Sequence, residues 1–317
     1  MPVKPKPPTF QPMNFAQRRS VPKILTLGFC FFFSLFQAND LSAQSPVWKV
    51  SRGDCTFYLG GTCHLLRATD YPLPEAFDLA YKKADRLVFE VSPEELQDTS
   101  TAARMMQKGV YPENKSLRDV LEPEVLALLA EQGQRHNLPI FLLESFKPGL
   151  AVILLTMQEL VLHGISEEGV DLHFSKRAAA DGKPTAGLET IAFQVNLLCE
   201  MGTGYENEFV RYSLNDLEKL GEEIGPMLTA WRMGNTTKLE KLFLEDLQRY
   251  PKLYHDLVVA RNQRWLQPFE GFLDSPETEF VLVGFGHLVG KDGLIQLLRS
   301  RNCTVECMST VAVDAEI

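Results

Sequence analysis

The chain has 317 residues, of which 45% are apolar and 23% are charged, and its formal net charge is −9. This length suits one large domain or two small ones, and the composition is that of an ordinary globular core. An acidic chain binds nucleic acid poorly, so the charge argues against nucleic acid as a partner.

The N-terminus has the three-part pattern of a secretory signal peptide. A basic segment with Arg18 and Arg19 precedes an apolar run, "ILTLGFCFFFSLFQA", and small residues follow it up to Ala43. We predict that residues 1–43 are removed and that residues 44–317 form the mature domain, secreted or periplasmic. The alternative is an uncleaved segment that anchors the chain in a membrane, although the run is shorter than the roughly 20 residues of a spanning helix.

Export would change both the charge and the thiol chemistry of the chain. Residues 1–43 carry five basic side chains and one acidic side chain, so their removal takes the net charge from −9 to −13. Five cysteines remain in the mature part. An oxidising compartment would allow disulfides between them, with at least one thiol left over.

The first half of the predicted sheet begins with a hairpin. Two β-rich runs flank Gly53 and Asp54, a suitable two-residue turn, and the second run ends in "YLGGTCH". The stretch "PLPEAFDLAYKKA" then has helical spacing, and "DRLVFEV" is the nearly continuous apolar run of a strand covered on both faces.

The same order recurs at the other end of the chain. A strand, "EFVLVG", is followed by "GFGH", a helix in "GLIQLLRSR" and a strand in "CTVECM". Gly61 precedes His64 by three residues, and Gly284 precedes His287 by three. We predict an α/β fold: a central mixed sheet built from two βαβ-like Gly-x-x-His units, whose loops meet at one edge, with a large helical insertion between them.

The insertion is predicted to be mostly helical. "LAVILLTMQELVL" is apolar all round and predicts a core helix. "PTAGLE" predicts a fourth strand. The other predicted features are a helix from Pro123 to Gly133, a helix closed by Gly182, a capping box of Thr237 and Glu240, and a last helix over residues 251–265.

The two histidines are candidate metal ligands. A residue just past a strand end lies in the crevice where α/β proteins bind their ligands, and neutral imidazole is a good ligand for divalent metals. The alternative is that His64 and His287 are structural histidines, hydrogen-bonded within packed loops.

Three further polar residues stand where apolar ones are expected. Glu90 and Glu189 each close a predicted strand, which is costly for a buried carboxylate unless it is paired or metal-bound; the alternative is that they face water at the sheet edge. Arg261 interrupts an apolar seam on the last helix, so its guanidinium is predicted to point inward. There it either forms a structural ion pair or acts on a substrate.

On these motifs the chain resembles the TraB/GumN family, which includes the Tiki-type metalloproteases. The resemblance rests, in chain order, on "YLGGTCH", "LVFEVSPEE", "LEPEVLALL", "FKPGLAVILLTMQEL", "EEGVDLHFSKRAAADGKPTAGLET", "ARNQRW" and "VLVGFGHLVGKDGL". The family is similar in fold and in its His/Glu constellation to erythromycin-esterase-like hydrolases. Tiki-type members imply a divalent metal, manganese or cobalt rather than zinc. Cys63 departs from the family pattern, in which a small or apolar residue is usual beside the motif histidine.

We therefore expect a secreted metal-dependent hydrolase, with a peptidase as the expected class, acting on a peptide or small molecule. His64, Glu90 and His287 would bind the metal, Glu189 would be the general base, and Arg261 would stabilise an oxyanion. One alternative is a metal-independent His/Glu hydrolase of the esterase type. Another is a non-catalytic secreted protein that binds a peptide or an envelope component. A membrane would be a partner only through an uncleaved signal segment.

Overall fold

A computed structural model describes residues 45–165 and 168–308, so the predicted signal peptide lies outside the described residues. The described chain forms one mixed sheet of six strands in the order β4-β3-β5-β2-β1-β6, with helices packed around it. This confirms the predicted α/β class. The strands are β1 Val47–Arg52, β2 Cys55–Thr62, β3 Arg86–Val91, β4 Thr185–Glu189, β5 Glu279–Gly284 and β6 Thr304–Cys307.

Four neighbouring strands run parallel, which brings their carboxyl ends to the same edge. β2 pairs with β5, β5 with β3, and β3 with β4, all in parallel. β1 is antiparallel to both β2 and β6, and the predicted hairpin joins it to β2. In the β2–β5 register Thr62 lies opposite Gly284, so the two Gly-x-x-His loops leave the sheet side by side.

The strands of each predicted Gly-x-x-His unit are not neighbours in the sheet. β5 lies between β2 and β3, and both β2 and β1 lie between β5 and β6. The crossovers therefore interlock, because each passes over a strand that belongs to the other half of the chain. The central pair, β2 and β5, joins residues more than two hundred positions apart.

Fourteen α-helices surround the sheet in the described residues, and all but the first and the last lie between β3 and β5. Their bounds are α1 Glu75–Lys83, α2 Pro93–Gln97, α3 Ser100–Gly109, α4 Pro123–Arg135, α5 Ile140–Leu143, α6 Pro148–Leu162, α7 Val170–Asp181, α8 Ile191–Glu200, α9 Glu206–Arg232, α10 Thr236–Leu239, α11 Glu245–Leu247, α12 Pro251–Tyr254, α13 Ala260–Phe272 and α14 Leu294–Arg299. Two π-helical turns, Glu240–Leu244 and His255–Val259, continue the helical path on either side of α11 and α12.

Three helix ends differ from those predicted from the sequence. α4 continues past Gly133, because the left-handed residue after this helix is Asn137, with φ of 56°. The predicted capping box at Thr237 is wrong: Asn235 caps α10 by accepting a hydrogen bond from the backbone N–H of Lys238. The last helix runs on to Phe272, seven residues beyond its predicted end.

α6 is a core helix only in its first half. Leu150, Ala151 and Leu155 are buried, but Val161 and Leu162 are 60% and 69% exposed. None of the helices in the described ranges is both long enough and apolar enough to cross a membrane. The five cysteines of the described chain are all free thiols.

One buried hydrogen bond ties the long helix α9 to the first Gly-x-x-His motif. The indole Nε1–H of Trp231 donates to the carbonyl oxygen of Gly61 over 2.8 Å, and both atoms lie in the core. A Cβ on Gly61 would lie 2.8 Å from Leu288 Cδ1 and 3.2 Å from Phe285 Cβ, so a side chain there would require these neighbours to shift. This contact fixes the backbone just before the first motif histidine.

We expect Trp231→Phe to destabilise the protein by about 1–3 kcal/mol in urea unfolding, since it leaves a buried carbonyl without its donor. Trp265→Phe is the matched control: its Nε1 is buried without a partner, so no hydrogen bond is lost. The stabilising contribution of the Trp231 hydrogen bond would be contradicted if the two variants lost the same stability.

Candidate active site at the carboxyl ends of the parallel strands

The predicted site residues meet where the four parallel strands end. Glu90 is the penultimate residue of β3, and Glu189 is the last residue of β4. His64 follows β2 by two residues, and His287 ends a short 3₁₀ turn directly after β5. Arg261 reaches the same place from α13.

Gly284 is the point around which three of these side chains converge. A Cβ on this glycine would lie 3.3 Å from Glu90 Oε1, 3.5 Å from His64 Nε2 and 3.9 Å from His287 Cδ2. Its backbone N–H donates to Glu90 Oε1 over 2.8 Å. The glycine of the second motif therefore leaves space for the site, and both imidazoles lie within 4 Å of one position.

Arg261 holds the two glutamates and one histidine together. Its Nε and Nη2 donate to Glu189, at 2.6 Å for the shortest contact, and Nη2 also donates to Glu90 Oε2. Its Nη1 donates to His287 Nε2 over 2.9 Å. The side chain is only 7% exposed, so the inward-pointing arginine predicted from the apolar seam is confirmed. The structural alternative, a buried ion pair, is also present.

Glu90 is kept ionised in this buried setting. Burial by itself would raise the pKa of Glu90, but the surrounding charges and donors, the charge of Arg261 first among them, together outweigh it and hold the pKa well below its usual range. Burial likewise opposes the charge on Arg261, yet the neighbouring Glu90 and Glu189 raise its pKa. The three side chains thus carry two negative charges and one positive charge, which leaves one negative charge in excess.

His287 is a neutral imidazole with a defined tautomer. The Nδ2 of Asn262 donates to the carbonyl oxygens of His287 and Asp292, so its Oδ1 faces His287 Nδ1 at 2.7 Å. The proton must then sit on Nδ1, and the lone pair on Nε2 accepts from Arg261. Burial lowers the pKa of His287 to about 3, which agrees with a neutral ring.

His64 has the opposite character. Its side chain is 63% exposed, and its Nδ1 donates to Asp171 Oδ2 over 2.8 Å. The charge of Asp171 raises the pKa of His64 to about 9, although desolvation by the surrounding protein opposes this. At neutral pH its imidazolium balances the excess negative charge beside it.

Three further residues contribute to the site and are not among the site residues predicted from the sequence. Gln194 on α8 donates to Glu90 Oε2 over 3.1 Å, and nothing in its spacing indicates this. Asn262 is fully buried beside Arg261. The sequence signal for it is that two consecutive polar residues, Arg261 and Asn262, stand in an apolar helix. Asp171 stands at the start of α7, whereas its neighbour His173 turns away to pack on Tyr71 and Phe174.

The donor set fits a divalent cation in chemistry. Two ligand atoms of one ion, each about 2.1 Å from it, lie at most about 4.2 Å apart, and His287 Nε2 is 4.0 Å from Glu90 Oε1. Each imidazole has a partner on Nδ1, as metal-bound histidines almost always do. Arg261 would first have to release His287 Nε2, and His64 would have to lose the proton on its Nε2. As the side chains stand, no group of three His, Cys, Asp or Glu in residues 45–165 and 168–308 is arranged to hold an ion.

Removing Arg261 should destabilise the protein, because Glu90 and Glu189 would lose the cation that lies between them. We expect Arg261→Met to lower the free energy of unfolding by about 3–5 kcal/mol. The triple variant with Glu90→Gln and Glu189→Gln should recover most of the loss, since no buried charge remains. If the triple variant is no more stable than Arg261→Met, the ion pairs are not what the arginine supplies.

The two histidines should give metal-free protein a stability maximum near neutral pH. An unfolded histidine titrates at about 6.5. The pKa of His287 falls to about 3, so its contribution is complete above 6.5 and is lost as pH falls toward 3. The pKa of His64 rises to about 9, so its contribution is complete below 6.5 and is lost as pH rises toward 9.

Urea unfolding in chelator at a series of pH values tests this. We expect His287→Gln to flatten the acid side of the profile and His64→Gln to flatten the alkaline side. His255→Gln is the control, because this exposed histidine pairs with its neighbour Asp256 outside the site. A profile that keeps both sides in both site variants would contradict the assignment.

Comparison with known proteins covers nearly all of the described chain. The sequence pattern of the TraB/PrgY/gumN family matches residues 46–307, a span that contains every strand and every site residue described above. No curated protein and no solved structure matches the chain. The chain belongs to the TraB/PrgY/gumN family.

Proposed function

We propose that the mature chain is a secreted metal-dependent hydrolase of the peptidase class, with His64, Glu90 and His287 as the metal ligands. The observation that carries this proposal is the convergence around Gly284. One carboxylate oxygen and two imidazole rings from three separate strand ends lie within 4 Å of one position, beside a cluster with an excess negative charge. The proposed ion is divalent, manganese or cobalt rather than zinc.

When bound there, a divalent ion lowers the pKa of a water molecule and polarises a carbonyl group. The chain supplies the rest. Asn262 keeps the proton of His287 on Nδ1, which leaves the Nε2 lone pair for the ion. Glu90 has one oxygen on the side of Gly284 and the other on Arg261 and Gln194, so Oε1 is the oxygen offered to the ion.

Arg261 and Glu189 act together in this proposal. Both oxygens of Glu189 accept from Arg261, so the glutamate is a poor base while that ion pair is intact. Substrate binding turns the guanidinium from His287 and Glu189 toward the substrate oxygen, where it stabilises a developing oxyanion. The same movement frees Glu189 to take a proton from water.

A second candidate is hydrolysis of an ester or lactone without a metal, and one observation favours it. His64 is exposed and carries a carboxylate on Nδ1, so its imidazolium is oriented to donate a proton from Nε2 to a leaving group. Arg261 would again serve the oxyanion. The two candidates differ in whether activity depends on a bound ion.

We expect purified protein to carry close to one equivalent of manganese or cobalt by elemental analysis, and His64→Ala/His287→Ala to carry far less, since two of three ligands are gone. Hydrolysis of a peptide library and of a panel of nitrophenyl esters is then followed before and after exhaustive chelation. His255→Ala is the control for loss of an exposed imidazole.

Each outcome separates the candidates. Activity that disappears on chelation and returns with Mn²⁺ supports the metal-dependent hydrolase. Activity that survives on the esters contradicts it and favours the metal-independent route. If His64→Ala abolishes hydrolysis but leaves the cellular phenotype intact, the chain acts by binding.

A further inference from the structure

His64 has a problem of orientation that His287 does not share. The ring of His287 is 9% exposed and packs 4.5 Å from the ring of Trp265, so its surroundings fix it. The ring of His64 is 63% exposed. Exposed side chains change rotamer within picoseconds to nanoseconds, so a specific contact is needed to keep Nε2 directed at Glu90 and Gly284.

Asp171 makes that contact, and both of its oxygens are used. Oδ2 accepts from His64 Nδ1 over 2.8 Å, and Oδ1 accepts from the hydroxyl of Thr62 over 3.1 Å. Thr62 and His64 belong to the same Gly-x-x-His motif. The aspartate therefore connects the end of β2 with the histidine that follows it, and its plane is set by two donors at once.

The start of α7 is itself fixed to this motif. The backbone N–H of Val170 donates to the carbonyl oxygen of Cys63 over 3.0 Å. Gly169 lies so close that a Cβ on it would be 2.1 Å from the carbonyl oxygen of His64. An acidic residue in the first turn of a helix often serves only the helix dipole. Here the carboxylate is turned to Thr62 and His64 instead, on a helix end that cannot move independently of them.

We infer that Asp171, held by Thr62, is a positioning residue: it keeps the proton of His64 on Nδ1 and aims Nε2 into the site. The inference rests on the proposed function for its consequence in metal binding, but not for the orientation itself. The inference also accounts for the threonine of the first motif. The second motif has Phe285 at the equivalent position, and there Asn262 binds the Nδ1 of the histidine instead.

The first measurement is of the proton, and it needs neither substrate nor metal. Long-range ¹⁵N–¹H spectra should show a proton on Nδ1 of His64 that is protected from exchange, with His64→Gln used for assignment. Asp171→Ala should abolish that protection. Thr62→Val should weaken it and Thr62→Ser should restore it, because serine keeps the hydroxyl.

The second measurement is the affinity for Mn²⁺ by calorimetry. Loss of a partner on a ligand histidine typically costs about 10- to 100-fold in metal affinity, and we expect a loss of that size for Asp171→Ala. Thr62→Val should lose about fivefold, as for one hydrogen bond. Asp78→Asn is the matched control. Asp78 lies on α1 and binds Arg177 of α7, the helix of Asp171, so the variant removes a carboxylate that holds α7 without contacting His64.

The outcomes distinguish the inference from the proposed function. If the Nδ1 proton of Asp171→Ala stays protected, or its Mn²⁺ affinity stays within twofold of wild type, the inference is overturned. A drop of equal size in Asp78→Asn also overturns it, since anchoring of α7 would then be the cause. If the wild type binds no Mn²⁺, the proposed metal site fails, and the proton spectra alone decide the role of Asp171. If Asp171→Ala does not fold, the proton protection and Mn²⁺ affinity of Thr62→Val test the inference in its place.

Discussion

The site depends on one interaction, the guanidinium of Arg261 between two buried carboxylates. Glu90 and Glu189 end neighbouring strands and are each at most 8% exposed in their side chains, so together they would repel one another in a poorly solvated space. A single planar cation with several donors satisfies both glutamates and the lone pair of His287. A lysine would offer a point charge without that geometry, and the strand ends would lose their common partner.

The two Gly-x-x-His motifs are alike in sequence, but their histidines differ in their surroundings. Both histidines follow a glycine by three residues, yet one is exposed, carboxylate-bound and raised in pKa, whereas the other is buried, amide-bound and lowered in pKa. The charge of Asp171 raises the pKa of His64, whereas burial lowers the pKa of His287. The partners on Nδ1, Asp171 and Asn262, come from two different helices of the insertion. Repetition along the chain therefore supplies two imidazoles, and the helices give them unequal electrostatics.

The sequence carried enough information for the strands and for most of the site. Alternating and continuous apolar runs marked the strands, and a charged residue at the end of such a run singled out Glu90 and Glu189. Arg261 was visible because it breaks an apolar seam. These signals are local. The contacts of Gln194 and Asp171 join residues 104 and 107 positions apart, and no local pattern shows which helix end will face which strand end.

The interlocked order of the sheet was likewise beyond the sequence. Each half of the chain has the local pattern of a compact βαβ unit, but β5 inserts between β2 and β3. Burial explains the result: β5 is buried along nearly its whole length, which suits a strand with a neighbour on each side and helices on both faces. That insertion is what places Gly284 beside Thr62 and between the two motif histidines.

The helix that delivers Arg261 is irregular at the point where the site needs it. A π-helical turn, His255–Val259, comes directly before α13, and the carbonyl oxygen of Leu257 within it accepts a hydrogen bond from Arg261 Nη1 at 3.4 Å. π-helical turns are uncommon in proteins, but those that occur often lie at functional sites. The extra residue in the turn changes which side chains face inward. Here two consecutive residues, Arg261 and Asn262, are both buried, and each reaches a different nitrogen of His287. Both residues lie in α13, where neighbours are separated by about 100° around the axis, so they approach the ring from different directions and reach its two nitrogens. The π turn directly before them sets which face of α13 points inward.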